Sequence, residues 1–405
     1  MHYQTMSEQR RQQATLSSQD SRLPLIAGYD FWLVCSLFLI ILIGSVMVAS
    51  ATISHADKYF SDPLYYFWNQ GQSIILGLFL VVLFLKIPIL HLQTLSRVLL
   101  IVAITLLTLT LIPGIGKEVN GSMRWIQLGP KSFQAAELVK FFFITYLAGY
   151  LVHHRESVRS DLIGFLKPVF IVAIISILLL KQPDYGSCAV LCATAIGMLF
   201  LAGAPLGRFF IWLPAFVGAL GCLIILSPYR MQRLMSFRNP EQDPFDTGYQ
   251  LLQALTAFGR GDWVGVGLGS GVQKLFYLPE QHTDFIFSVI AEELGLIGTV
   301  SIILLFFFIV WRAFMIGRVA ESIEKYFSAY LAYGIGLIIG LQAYINIGVN
   351  MGVLPTKGLT LPFISYGGNS MIVYCISFGV LLRVEYENRQ NIRTVNKGSV
   401  SAYAT

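Results

Sequence analysis

Charge is the scarcest thing in this chain. Of its 405 residues only 12% are Asp, Glu, Lys or Arg, while 55% are hydrophobic and mean hydropathy is +0.67. A soluble domain carries about 25% charged residues, so this composition excludes one and leaves a polytopic membrane protein. Cysteine is also sparse. The five residues Cys35, Cys188, Cys192, Cys222 and Cys375 all fall inside apolar runs, which excludes a disulfide framework. Cys188 and Cys192 are four apart and could share a helix face, but no His or carboxylate stands at ligand spacing, so they read as small buried residues. Residues 1–29 lack the apolar core of a signal peptide and are rich in Gln, Ser and Arg, the composition of a disordered tail.

What the chain does have is long apolar segments. Ten runs, at about 30–50, 65–86, 94–112, 134–152, 163–181, 187–204, 208–227, 284–311, 328–350 and 367–383, each come near the roughly 20 residues that cross the hydrocarbon as a helix. The fifth and sixth are separated only by Gln182-Pro183-Asp184-Tyr185-Gly186, which predicts a helical hairpin. The expected fold is therefore an all-α polytopic membrane protein with ten transmembrane helices. It divides into a tail (1–29), a membrane domain (30–385) and a C-terminal tail (386–405), with a large outer loop at 228–283 between helices 7 and 8.

Lys and Arg set the orientation. With the N-terminus inside, the tails and inner loops hold 16 of these cations, the outer side holds 11, and Lys140 lies within a span. Five of the outer 11 sit in the long 228–283 loop, which counts little, so the short-loop comparison is 16 against 6. Both termini are expected in the cytoplasm, and 51–64, 113–133, 182–186, 228–283 and 351–366 face outward.

The costly residues then gather on the outer side. Val272–Gly298 passes from a polar loop into an apolar helix, with Asp284 at the junction and Glu292 and Glu293 inside the run. Carboxylates cost about 2.5–3.5 kcal/mol at mid-membrane, so these three call for partners, a water-filled cavity or a function. Asp284 stands where an N-cap would stand, and capping and chemistry both remain open for it. In the 113–133 loop, Trp125 with flanking cations at a span end suits an interfacial anchor. Glu137 and Lys140, three apart, share a helix face that must point into the bundle, as a structural ion pair or a functional one.

Two outer segments add to this. In 228–283, residues 249–258 have the apolar spacing of a short helix. The six glycines of GRGDWVGVGLGSG follow, fitting neither GxGxxG nor GxxxxGKS/T, so they read as a mobile loop able to approach a ligand rather than a nucleotide site. Residues 350–370, with two prolines, four glycines and Lys357, suit a broken stretch lining a cavity or an ordinary connection.

Several long motifs, NGSMRWIQLGP, AAELVK, NPEQDPFDTGYQ, AFGRGDW, VQKLFYLPEQHTDFIFSVIAEELG and LPTKGLTLPFISYGGNS, resemble the SEDS family (shape, elongation, division and sporulation proteins). The resemblance runs from about residue 30 to 385 and is closer to the division branch than to the elongation branch. It implies ten spans in a bacterial inner membrane and a peptidoglycan glycosyltransferase that polymerises lipid II at the septum. It also implies a class B penicillin-binding protein and other divisome membrane proteins as partners, besides membrane lipid, and no nucleic acid. Carried over by motif, the essential outer acid falls on Asp284, with His282 and Thr283 beside it as substrate-binding positions. The tryptophan after a basic residue falls on Trp125 after Arg124, and the buried acid and base on Glu137 and Lys140. Ala136 and Asn369 depart mildly from the family pattern.

The residues fit that chemistry. A positioned carboxylate can deprotonate an acceptor hydroxyl while the lipid pyrophosphate, already a stable anion, departs without a strong acid. Cations should gather near the pyrophosphate, and Arg124, Lys131, Lys140, Arg230 and Lys357 are the candidates. No metal-ligand cluster is visible, although a divalent cation such as Mg or Mn could share the work. Buried Glu137 and Lys140 would also suit a lipid II flippase, and the outer loops a non-enzymatic division scaffold. An outer acid beside a large outer loop favours catalysis over the flippase, and a scaffold would leave the membrane-embedded charges idle.

Overall fold

The computed structural model describes residues 25–26, 29–119, 122–129, 131–210, 248–356 and 358–402, together with isolated positions between 211 and 247. A short strand pair, β1 (Leu25–Ile26) and β2 (Tyr29–Asp30), leads into α1 (Phe31–Phe60). Buried Asp30 caps that helix, its Oδ1 accepting from the amides of Trp32 and Leu33 at 3.0 and 3.4 Å. Ser61, left-handed at φ 54°, ends it. Then come α2 (Tyr65–Lys86) and α3 (Ile89–Thr110), 22 residues each, or about 33 Å at 1.5 Å per residue, enough for the hydrocarbon core.

The 113–133 loop contains strands. It folds into an antiparallel sheet of β3 (Gly116–Val119), β4 (Ser122–Leu128) and β5 (Lys131–Gln134), with Trp125 of β4 opposite Lys117 on one side and Gln134 on the other. Gly129, at φ +63°, sits in the tight β4–β5 turn. The mostly helical chain thus carries a small three-stranded sheet between α3 and α4.

From Gln134 the chain enters α4 (Ala135–His153). A short α5 (Arg155–Ser160) connects to α6 (Leu162–Lys181) and α7 (Tyr185–Leu201), the hairpin expected at 182–186. The seventh apolar run, 208–227, lies outside the described residues beyond position 210. The helix expected at 249–258 is α8 (Tyr249–Gly261), followed by α9 (Ile286–Ser322), α10 (Tyr326–Asn350) and α11 (Gly368–Ala402). Helix α11 begins where the tenth run begins but continues through most of the expected C-terminal tail, and residues 1–24 of the N-terminal tail are outside the described residues.

Among the described residues, seven helices are long and apolar enough to cross a membrane: α1, α2, α3, α4, α6, α9 and α10, with α7 a shorter apolar helix. This is a multi-pass membrane protein. In their most apolar stretches α4 and α10 are 78% and 67% buried, against 17% and 22% for α2 and α3, so α4 and α10 form the centre of the bundle. Helix α2 turns Ile75, Phe79 and Val82 outward, as a lipid-facing helix must.

The glycine run has a different task from the one expected. Gly295 breaks α9 with φ 65° and ψ −161°, which strands backbone groups on both sides of the break. The 262–267 segment supplies their partners. Val266 and Gly267 N–H donate to the Glu292 and Glu293 carbonyls at 2.9 and 3.1 Å, and Leu296 and Ile297 N–H donate to the Asp262 and Trp263 carbonyls at 2.9 and 3.1 Å. The contact is backbone on backbone: a Cβ on Gly261 or Gly265 would overlap the carbonyl of Ala291 or Glu293. Gly261 and Gly265 let this loop approach α9 closely.

Candidate active site

The three acids expected on the outer side separate into two kinds. Glu292 and Glu293 are fully buried and fully engaged. Glu292 accepts from the amides of Val272 and Gln273 at 3.0 and 3.1 Å and pairs with Arg260 at 3.4 Å. Glu293 pairs with Lys274 at 2.6 Å, and the Ser50 hydroxyl and Gly269 amide also donate to it. These two tie the outer loop to α9 and α1, and they are structural.

Asp284 is different. It lies in the loop just before α9, half-buried, and the cap position of that helix is Phe285, with no side-chain capping bond. Among the described residues no donor is recorded on its carboxylate, so the structure removes the capping reading. Its backbone is firmly held, because the carbonyl accepts from Asn346 Nδ2 at 2.9 Å and Asn350 Nδ2 at 2.8 Å. Although the side chain keeps some opening, it is closely surrounded by protein, and that burial pushes its carboxyl up to about 7. Neighbouring Glu280 adds to the rise and Asp184 adds a little more, while the Arg124 guanidinium opposes it.

The broken stretch at 350–370 forms the facing wall. Tyr366 N–H donates to the His282 carbonyl at 2.8 Å, and Ser365 Oγ to the Thr283 carbonyl at 2.6 Å. Gly358 closes against the acid, since a Cβ there would stand 3.0 Å from Asp284 Oδ2. This stretch lines the site and is no ordinary connection.

Below lies the membrane-embedded pair. Lys140 Nζ stands 2.8 Å from Glu137 Oε1, both buried, and donates to Gln342 Oε1 at 2.5 Å. Gln342 Nε2 in turn donates to the Thr360 carbonyl at 3.0 Å, so the pair connects to the wall of the Asp284 site. Beside it, Glu137 Oε2 and the Tyr374 hydroxyl are buried and have no hydrogen-bond partner among the described residues.

The other expected residues are placed as follows. Arg124 spends its guanidinium on the Gln182 and Pro183 carbonyls, at 3.1 and 2.7 Å, and so braces the α6–α7 turn while its charge acts on Asp284. Trp125 is half-buried on β4, one strand pair from the start of α4. Thr283 Oγ1 donates to Glu280 at 2.7 Å. His282 sits among the rings of His55, Tyr66 and Tyr366, and burial, aided by His55 and opposed by Glu280, lowers its pKa to about 4, which keeps it neutral. Lys131 opens β5, while Arg230 and Lys357 lie outside the described residues. Among the described residues no three His, Cys, Asp or Glu side chains gather to hold a metal ion.

Sequence reading missed Gln342, Asn346 and Asn350, three fully buried amides at four-residue spacing on one face of α10. The signal was present: amides four apart within an apolar span are as much in need of partners as the acids were.

Similarity to known proteins bears on the fold and the family. The family model described as "Cell cycle protein", covering FtsW, RodA and SpoVE, matches residues 31–390. The FtsW of Nitrosococcus halophilus, named "Probable peptidoglycan glycosyltransferase FtsW", is 52% identical over 361 residues, 89% of this chain and 93% of that one. The protein of the same name from Coxiella burnetii is also 52% identical, over 89% of this chain and 97% of its own. Among solved structures, a chain of a peptidoglycan synthase complex that coordinates polymerization and crosslinking has a TM-score of 0.74 at 28% identity, covering 89% of this chain and 98% of that one. The rod shape determining protein RodA of Thermus thermophilus has a TM-score of 0.65 at 27% identity, over 89% and 97%. The chain belongs to the FtsW/RodA/SpoVE family of cell cycle proteins.

Proposed function

We propose that this protein is a peptidoglycan glycosyltransferase that polymerises lipid II on the outer side of a bacterial inner membrane during division, with Asp284 as general base. The observation that carries this reading is the state of Asp284. Unlike Glu292 and Glu293 it has no described donor on its carboxylate, its backbone is fixed from α10, and its pKa of about 7 suits proton abstraction at neutral pH. The names of the relatives at 52% identity support the activity.

In the proposed reaction Asp284 accepts the proton of the acceptor sugar's 4-hydroxyl. That oxygen forms a bond to the anomeric carbon of the donor strand, with inversion, as the bond from that carbon to the undecaprenyl pyrophosphate oxygen breaks. The pyrophosphate leaves as an anion, so no protein acid is required. Arg124 and Lys140 spend part of their donors within the protein and bring positive charge to this region. Lys131, Arg230 and Lys357 are the remaining candidates for direct contact with the pyrophosphate.

We further propose a class B penicillin-binding protein as partner, alongside other divisome membrane proteins. Likeness to a chain of a synthase complex supports it. Both termini are assigned to the cytoplasm from the Lys and Arg distribution. The direct test gives the purified protein labelled lipid II, with and without its transpeptidase partner. Glycan chains are the expected product. Lipid II that crosses vesicles without being polymerised would favour transport instead.

A further inference from the structure

Helix α10 carries Gln342, Asn346 and Asn350 on one face, four residues apart and all buried. Each reaches a segment that has left helical geometry. Gln342 holds the Thr360 carbonyl. Asn350 holds the Asp284 carbonyl and accepts from Ser288 N–H and Oγ, at 3.0 and 2.8 Å, in the first turn of α9. Asn346 alone touches both walls of the site, its Nδ2 donating to the Asp284 carbonyl at 2.9 Å and to the Leu359 carbonyl at 2.6 Å. Leu359 follows Gly358, which closes on Asp284 Oδ2, so a shift of one wall against the other changes the space around the carboxylate.

Satisfying stray carbonyls in a membrane protein would explain any one of these bonds. It does not require that one amide bridge the chain on both sides of the same carboxylate. We propose that Asn346, flanked by Gln342 and Asn350, is a positioning residue that sets Asp284 against the 358–361 segment. The inference rests on Asp284 being the base. The charged groups acting on Asp284 are Glu280 from its own loop, Asp184 from the turn before α7 and Arg124 from β4. The α10 face offers only neutral amides, so Asn346 acts through geometry and water exclusion.

The test compares full-length Asn346→Ala, Asn346→Ser and Asp284→Asn with wild type, using labelled lipid II, thermal stability and rate against pH. A misplaced base should cost about 10- to 100-fold in kcat for Asn346→Ala, with KM changed by less than about threefold. Looser packing should also admit water to Asp284 and move the acid limb of the profile to lower pH. Asn346→Ser keeps one donor and should fall between, which preserves the test if the alanine variant does not fold. A folded Asn346→Ser or Asn346→Ala enzyme with wild-type kcat and an unmoved acid limb overturns the proposal, as does a loss seen only in thermal stability. If those variants are normal while Asp284→Asn is inactive, the positioning role alone fails. If Asp284→Asn polymerises normally, the base assignment fails and takes this inference with it.

Discussion

Lys274 Nζ stands 2.6 Å from Glu293 Oε1 with both side chains buried, so one ion pair fastens the outer loop to the first half of α9. Ser50 of α1 joins the pair, donating to Glu293 and accepting from Lys274 at 2.9 Å. Three parts of the chain meet at this point, in the helix that Asp284 precedes. Because Glu292 and Glu293 are engaged in this way, Asp284 is the one of these three acids whose carboxylate has no described donor.

Breaking that pair from one side should be worse than removing it. Glu293→Leu leaves Lys274 buried and unpaired, and Lys274→Met leaves Glu293 the same, each at a cost of about 3–5 kcal/mol. The double variant should recover a good part of the loss. Thermal unfolding of the four proteins in one detergent measures it, and simple additivity would show that the two charges do not act as a pair.

Gly295→Ala should destabilise the same region by a different route. Its φ of 65° with ψ −161° is glycine territory, and a Cβ there would lie 2.7 Å from Trp263 C and Val264 N. The strain alone costs about 1–3 kcal/mol, and displacing the 262–267 segment adds to it. Limited proteolysis should cut the outer loop sooner in the variant. Unchanged protection and melting would show that the break tolerates a side chain.

Much of this arrangement was legible in the residues. Apolar length gave the helices, and Gln182-Pro183-Asp184-Tyr185-Gly186 gave the α6–α7 hairpin. Cost in the membrane drew attention to Asp284, Glu137 and Lys140. What periodicity could not show was which distant groups would satisfy them. Glu292 and Glu293 looked as suspicious as Asp284 until Arg260, Lys274 and Ser50 were in place. That Gly261 and Gly265 pack on the break at Gly295 could not be read from the glycine run, because the contact is tertiary. The amides of α10 went unnoticed since a polar neutral residue in a span carries a weaker warning than a charge.

Arg124 offers a pH test. Its charge holds the Asp284 pKa below where burial and Glu280 would otherwise put it. A base works only when deprotonated, so removing the cation should raise that pKa and move the acid limb of the rate profile to higher pH. Arg124→Gln is expected to show this shift, while Arg124→Lys keeps the charge and should leave the limb in place. Identical profiles for wild type and Arg124→Gln would remove Arg124 from the electrostatics of the site.

Orientation can be checked independently of activity. In a cysteine-free background, single cysteines at the exposed positions Ser61 and Ser270 should react with an impermeant thiol reagent applied from outside. Cysteines at Ser160 and Ser322, also exposed, should not react until the membrane is opened. Reversed labelling would put the Asp284 site on the inner side and contradict its assignment to lipid II on the outer face.

Asp284→Asn tests the central claim most directly, with polymerisation and stability measured on the same purified protein. Folding raises the pKa of this acid, so its ionised form is disfavoured in the native state. Wild-type stability should therefore decline as pH rises from the ordinary carboxylate range to about 7, with the penalty complete above that. Asparagine carries no such penalty and leaves the backbone carbonyl to Asn346 and Asn350, so at pH 8 the variant should melt no lower than wild type. Its rate of glycan synthesis should nevertheless fall by about 10²–10⁴. A well-folded Asp284→Asn protein that makes glycan chains at a near-normal rate would contradict the account.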